Sequence, residues 1–283
     1  VTTVLDGLAN IEHQDIGDAE LAEIGMILEK RRNFSVSVYK DKCMKRRIAI
    51  RMRLCRCNDA AAYCNLLRQS EQELDLLRKT LTIHVSQFFR NPSMFEKLRR
   101  DVLPLLYQSC VESREPLRIW SLGCAGGEEA YSIAILLREH FARDLRHTST
   151  TIDATDIDEE TLSAARKAEF NEDRLKDLPD EMCKRYFHPS GSRMQLTSAI
   201  REMVTFYQDN ITAVGKFLHC NLVLCRNTLI YFARPDQEKI LQGLADILPV
   251  GGILVLGKSE TLVGEVRRRF TAVCPVERIY RRV

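Results

Sequence analysis

Three of the five residues in Gly123-Cys124-Ala125-Gly126-Gly127 are glycine, and the run lies between an apolar stretch at 117–122 and a helical pattern. A ligand meets backbone at such a strand-to-helix turn, because residues without a Cβ admit positive φ and close approach. A tight structural turn has the same composition, so the neighbouring residues carry the argument. No Gly-Lys-Ser/Thr ending follows, and the lysine and hydroxyl that hold a triphosphate and its magnesium are therefore missing. Glu128 and Glu129 open the helix instead. The helix dipole favours carboxylates at that position in any protein, but these two would repel a pyrophosphate and attract an ammonium such as that of a methionine moiety.

A second strand-like run at 151–155 leads into Asp156-Ile157-Asp158. Asp156 is placed to accept both hydroxyl hydrogens of a ribose, while Asp158 reads as the N-cap of the next helix. Two more runs end in Asp209-Asn210-Ile211 and in Cys225-Arg226-Asn227-Thr228-Leu229-Ile230-Tyr231-Phe232. The carboxyl ends of strands in an open parallel sheet converge on one crevice, where Asn210 has donors and acceptors suited to an adenine edge.

The elements that position these groups follow from periodicity. Asp18 can cap a helix with Leu21, Ile24, Ile27 and Leu28 on one face, and helical patterns continue through 40–56, from Asp59 to Leu67, and over 71–81. Asn91-Pro92 starts another, with Asn as cap and Pro in the first turn, running towards Pro104 and Leu106. From Pro116 onward short apolar runs at 117–122, 151–155, 203–207, 221–224 and 253–256 alternate with helices at 128–141, 159–168 and 235–248. That alternation is the α/β signature, and a last run at 278–280 can pair antiparallel with 253–256. Residues 178–204, with a turn at Pro189-Ser190-Gly191, break the rhythm and read as an inserted β-subdomain. The expected domains are a helical one at 18–108 and an α/β one at 115–283.

Composition agrees with a globular chain: 283 residues, 45% hydrophobic, 29% charged, net charge +3. No apolar run approaches the ~20 residues of a membrane span, and no signal-peptide core is evident, so a cytoplasmic location is expected. The ten cysteines then read as reduced thiols. Cys43, Cys55, Cys57 and Cys64 form none of the C-x-x-C pairs of a zinc site, and no metal is expected. The modest net charge hides a basic stretch, Lys42, Lys45, Arg46, Arg47, Arg51, Arg53 and Arg56, interrupted between residues 40 and 56 only by Asp41.

From Phe34 to Tyr280 the chain resembles one family, the chemotaxis receptor glutamate methyltransferases known as CheR. The most specific match is 224–232, which resembles the family's Cys-Arg-Asn-x-x-Ile-Tyr-Phe block. Supporting matches are Ser86-Gln87-Phe88-Phe89-Arg90, 120–132, 154–158 and Gly257-Lys258-Ser259-Glu260. The resemblance implies a helical N-terminal domain, a Rossmann-like class I methyltransferase sheet and an inserted antiparallel β-subdomain. It further implies that S-adenosylmethionine is the cofactor, with S-adenosylhomocysteine as product. By matching motifs, His84, Ser86 and Arg90 would contact it, with Gly123 at the turn and Glu128 or Glu129 approaching the methionine amine. Asp156 would take the ribose, Asn210 and Ile211 would border the adenine, Arg226 and Asn227 would line the pocket, and Tyr231 would sit near the methyl. The chain departs from the pattern where His84 stands for a usual Asn, Ser86 for Thr, Ala125-Gly126-Gly127 for Ser-Thr-Gly, Ala130 for Pro and Asn221 for Asp.

Methyl transfer from a sulfonium to a glutamate carboxylate, ionised at neutral pH with a reference pKa of about 4.3, requires alignment and no general base. Arg90 would orient the incoming carboxylate by a charge-assisted bond, and Tyr231 would fix the methyl region. The basic residues Arg46, Arg47, Arg51 and Arg53 would steer an acidic receptor helix, although a solvated helix face has the same composition. The expected partners are thus the cytoplasmic helices of methyl-accepting chemotaxis receptors. The short segment from Phe187 to Met194 favours recognition without a C-terminal peptide tether. The competing readings are a nucleic-acid methyltransferase, which lacks here an Asn/Asp-Pro-Pro-Tyr-type block, and a non-catalytic S-adenosylmethionine sensor.

Overall fold

Helix-period apolar stripes in the first 82 residues and strand-period runs after Pro116 produce two different architectures. The computed structural model describes residues 16–82, 86–212 and 219–283. Contacts divide the chain between Ile83 and His84, upstream of the boundary expected at 108–115. The reason is a shared core: Met94, Phe95, Leu98, Leu103 and Leu106 belong to the same buried cluster as Leu117, Ile119 and Leu222 of the sheet.

The first unit is all helical: α1 (Asp18–Arg32), α2 (Asp41–Leu54), α3 (Ala60–Gln69) and α4 (Glu71–Leu81). Leu21, Ile24, Ile27 and Leu28 are buried on α1, and Met44, Ile48 and Met52 on α2, as a period of about 3.6 requires. Asp59 caps α3 by accepting from the Ala62 N–H at 2.7 Å. Asp18 does not cap α1 as expected; it is the first helical residue, and its carboxylate pairs with Lys45 at 2.5 Å. Buried among α2, α3 and α4 is Glu73, which accepts from Arg51 Nε at 2.9 Å and from the Tyr63 hydroxyl at 2.7 Å.

The second unit begins with α5 (Pro92–Lys97), which passes through a π turn at Leu98–Val102 into α6 (Leu103–Ser113). After β1 (Leu117–Leu122) come α7 (Glu128–His140), α8 (Asp144–His147), β2 (Thr150–Asp156) and α9 (Glu159–Lys167). Then follow β3 (Glu169–Phe170), α10 (Asp180–Tyr186), β4 (Phe187–Ser190), β5 (Arg193–Leu196), α11 (Ser198–Arg201) and β6 (Val204–Gln208). The chain finishes with β7 (Leu222–Cys225), α12 (Arg234–Ile247), β8 (Ile253–Leu256), β9 (Phe270–Cys274) and β10 (Ile279–Arg282).

Seven strands form one sheet in the order β6-β2-β1-β7-β8-β10-β9. The first five are parallel and β10 is antiparallel to β8, as expected; β9, unforeseen, pairs antiparallel with β10 at the edge. The order reverses between β1 and β7, which locates a crevice at their carboxyl ends. The fold is therefore the α/β, Rossmann-like sheet with an N-terminal helical part and a small antiparallel sheet. That small sheet, β3-β5-β4, takes its third strand from Glu169–Phe170, so the insertion starts before residue 178.

Candidate active site

The glycine turn is held by its neighbour β2: the Gly123 and Cys124 N–H groups donate to the Thr155 carbonyl at 2.8 and 2.9 Å. Two of its glycines have steric reasons. Gly123 has φ 71°, and a Cβ there would lie 2.5 Å from Thr228 Oγ1; Gly127 has φ 86°, and a Cβ would meet the Phe206 ring at 2.9 Å. Asp156 is 8% exposed at the tip of β2. Its Oδ2 accepts from the Ala125 N–H at 2.9 Å and its Oδ1 from the Asp158 N–H at 3.1 Å. A carboxylate has about four acceptor sites, so this anchoring leaves capacity for hydroxyl donors. Asp158 caps α9 as expected, accepting from the Thr161 N–H at 3.3 Å.

The two acids that open α7 have different surroundings. Glu129 is satisfied at both oxygens, by the Ser121 hydroxyl at 2.8 Å and by Arg226 Nη1 at 2.9 Å. Glu128, 3% exposed, is paired at Oε1 with Arg174 at 3.1 Å, while Oε2 has no partner among the described residues. Burial raises the Glu128 carboxyl above the ordinary range, against its own backbone N–H, Arg174 and Ser86, which favour the anion. A buried carboxylate oxygen without a donor is costly, and a ligand ammonium would supply one.

Arg226, expected to line the pocket, braces it. Its Nη2 donates to the Arg90 carbonyl at 2.8 Å and to Asn91 Oδ1 at 2.7 Å, and its guanidinium carbon lies 5.8 Å from the centroid of the Phe95 ring. Asn91 precedes α5 as expected but does not cap it with its side chain; with φ 65° it turns that oxygen to Arg226. Asn227, with φ 57°, belongs to a turn organised by Glu260. The Glu260 carboxylate accepts N–H bonds from Asn227 and Thr228 at 2.8 Å, Gly257 at 2.6 Å and Ile230 at 3.3 Å. The sequence assigns Glu260 no role beyond the Gly-Lys-Ser-Glu match; an acid that ends a short turn-like block with Lys258 as its one basic neighbour there is the available signal. Tyr231 ends the short turn Leu229–Tyr231 and is half-buried.

Ser86 and Arg90 are also half-buried. Phe88, between them, stacks edge-on to Phe170 and Phe187 of the small sheet at 4.9 and 5.1 Å. Asn210 is exposed beyond β6, its Oδ1 accepting from the Thr212 N–H at 3.0 Å, and Ile211 beside it is buried. His84 lies outside the described residues.

Of the four arginines assigned to substrate, two are engaged inside the helical unit: Arg51 with Glu73, and Arg47 with the Leu81 carbonyl. They flank the apolar stripe Met44-Ile48-Met52, whereas Arg46 and Arg53, seven residues apart, share the opposite, exposed face with Lys42. Among the described residues, no group of three or more His, Cys, Asp or Glu could hold a metal ion. No described helix is long and apolar enough to cross a membrane.

A parallel sheet with its strand-order switch at a glycine turn, an acid at the next strand tip and a buried, half-satisfied carboxylate defines a Rossmann-like nucleotide-binding enzyme domain of the class I methyltransferase type. The chain belongs to the CheR methyltransferase family: residues 84–277 match its SAM binding domain and residues 19–82 its all-alpha domain. It is 37% identical over 243 residues to an uncharacterized 104.1 kDa protein of Rhodobacter capsulatus, covering 86% of this chain but only 25% of that one. It is 34% identical over 224 residues to chemotaxis protein methyltransferase 2 of Vibrio cholerae, covering 77% of this chain and 76% of the relative. To the chemotaxis protein methyltransferase of Listeria innocua it is 29% identical over 237 residues, covering 84% and 88%. The chain thus spans a quarter of one relative and most of the other two. S-adenosylmethionine is the cofactor of the matched domain, and the orphaned Glu128 oxygen beside the glycine turn fits its ammonium.

Proposed function

We propose that this chain methylates glutamate side chains on the cytoplasmic helices of chemotaxis receptors, forming glutamyl methyl esters in the cytoplasm. The observation that carries the reading is the buried Glu128 carboxylate, half satisfied, at the start of α7 in a CheR-family domain. When bound, S-adenosylmethionine supplies a methyl group already activated on a sulfonium. The chain's own residues then bind and align. Glu128, rather than the fully paired Glu129, takes the ammonium, Asp156 the ribose hydroxyls, and Asn210 with Ile211 the adenine. Gly123, Ser86 and Asn227 complete the contacts around it.

Arg90, its backbone braced by Arg226, orients the substrate carboxylate through a charge-assisted bond while that carboxylate's other oxygen attacks. Holding the anion too tightly would slow the reaction, so one donor suits the task better than a clamp. Tyr231 packs the region of the transferring methyl. The exposed face of Lys42, Arg46 and Arg53 attracts the acidic receptor helix, and the short β4–β5 hairpin favours recognition without a tethering peptide.

The deciding experiment is incubation with radiolabelled cofactor and receptor cytoplasmic fragments. Base-labile label on receptor protein supports the reading. Label on nucleic acid, or cofactor uptake with no transfer to either, refutes it.

A further inference from the structure

We propose that Arg174 is the positioning residue for Glu128, fixing one carboxylate oxygen so that the other faces the amino-acid end of the nucleotide. The inference rests on the reading that Glu128 binds that end. Arg174 closes the turn Glu172–Arg174 that follows β3, within the inserted segment, and no sequence motif singled it out. Its backbone and side chain hold the same short stretch twice: its carbonyl accepts from the Phe88 N–H at 3.1 Å, and its Nη1 donates to the Ser86 carbonyl. The same Nη1 lies 3.1 Å from Glu128 Oε1.

A guanidinium can grip a carboxylate at both oxygens. Here the contact is made at Oε1, and Oε2 is left without a partner among the described residues. The carboxylate as a whole lies against the glycine turn, since a Cβ on Gly126 would be 2.9 Å from Oε2 and 3.1 Å from Oε1. The arrangement leaves one oxygen for a ligand donor, and Arg174 favours the anion against the burial that raises the carboxyl. The other groups around it are committed or neutral. Glu129 on α7 is paired with Arg226, Asp156 on β2 anchors the Ala125 N–H, and the buried Cys124 thiol is pushed well above its ordinary value by burial and the neighbouring carboxylates. Ser86 contributes a hydroxyl, and Arg90 lies on the same loop, four residues on, held at its carbonyl by Arg226.

Burial raises the Glu128 carboxyl and Arg174 lowers it. Affinity for an ammonium therefore falls as pH drops through the folded value, and removing Arg174 moves that fall to higher pH. The test is calorimetric titration of the full chain with S-adenosylhomocysteine across pH. The control ligand is 5′-methylthioadenosine, which has the nucleoside and the thioether but no amino-acid end. Arg174→Ala is expected to weaken S-adenosylhomocysteine by about tenfold at neutral pH and to shift its pH profile upward. Methylthioadenosine affinity should stay unchanged, and Arg174→Lys should restore much of the loss. Equal weakening of both ligands, or an unshifted profile with wild-type melting behaviour, overturns the role of Arg174. Failure of the wild-type chain to bind S-adenosylhomocysteine overturns the nucleotide reading as well.

Discussion

Nη1 of Arg226 lies 2.9 Å from Oε2 of Glu129, with the two side chains only 4% and 13% exposed. The same guanidinium holds the Arg90 carbonyl and the Asn91 side chain, so one residue ties the tip of β7 to the start of α7 and to the loop before α5. Removing one partner of a buried pair leaves the other charge uncompensated, at a cost of about 3–5 kcal/mol. Arg226→Ala should lower unfolding stability by about that amount, and Arg226→Lys, with a point charge in place of a planar fork, should recover only part. Equilibrium urea unfolding measures this. A midpoint unchanged in both variants would show that the pair contributes nothing to the fold.

Arg90 acts on the incoming carboxylate, whereas the nucleotide has its own acids. Loss of a hydrogen bond to a charged group is worth about 1.5–3 kcal/mol, or about 10- to 100-fold in rate. Arg90→Ala should therefore cut methyl transfer to receptor fragments by about that factor, with little change in S-adenosylhomocysteine affinity. Turnover equal to wild type would remove Arg90 from the mechanism.

The sheet was legible because its strands read as short apolar runs separated by helical periods, a pattern set by local chain geometry. The edge strand β9 was not, because Phe270–Cys274 follows a basic turn and has only one buried residue. The acids at the strand tips were legible for the same topological reason, but their division of labour was not. Glu128 and Glu129 are adjacent and chemically equal in sequence. Arg226, 97 residues from Glu129, and Arg174, 46 residues from Glu128, set them apart, with the Ser121 hydroxyl adding the second bond to Glu129. Long-range partners of this kind leave no periodic trace. The basic stretch on α2 shows the same limit, since residue type could not tell Arg51, half-buried and paired with Glu73, from Arg53 in solvent.

That division changes which substitutions test receptor recognition. Reversing Arg46 and Arg53 to Glu, on the exposed face, should raise the Michaelis constant for receptor and weaken its salt dependence, leaving cofactor affinity and melting temperature close to wild type. Arg51→Glu would set a second carboxylate beside buried Glu73 and should destabilise the helical unit instead. Steady-state kinetics at two ionic strengths distinguishes these outcomes. A wild-type Michaelis constant in the Arg46/Arg53 double variant, insensitive to salt, would exclude the face from recognition.

Glu73 makes the stability of the helical unit depend on acid. Burial alone would raise its carboxyl, but the bonds from Arg51, Tyr63 and Cys55 outweigh it and hold the group below its ordinary value of 4.5. A group depressed in the folded state stabilises above its unfolded pKa, and that contribution is lost as pH falls through the folded one. Glu73→Gln keeps acceptor and shape but has no charge to titrate. The stability difference between wild type and Glu73→Gln should therefore be constant at neutral pH and shrink as pH falls below about 4.5, in the direction of the depressed value. Other acid-titrating groups are common to both proteins and cancel in the difference. Urea unfolding of the two proteins from about pH 3 to about pH 7 reads it directly. A difference that stays flat over that range would mean that the Arg51–Glu73 charge pair does not contribute to holding α2, α3 and α4 together.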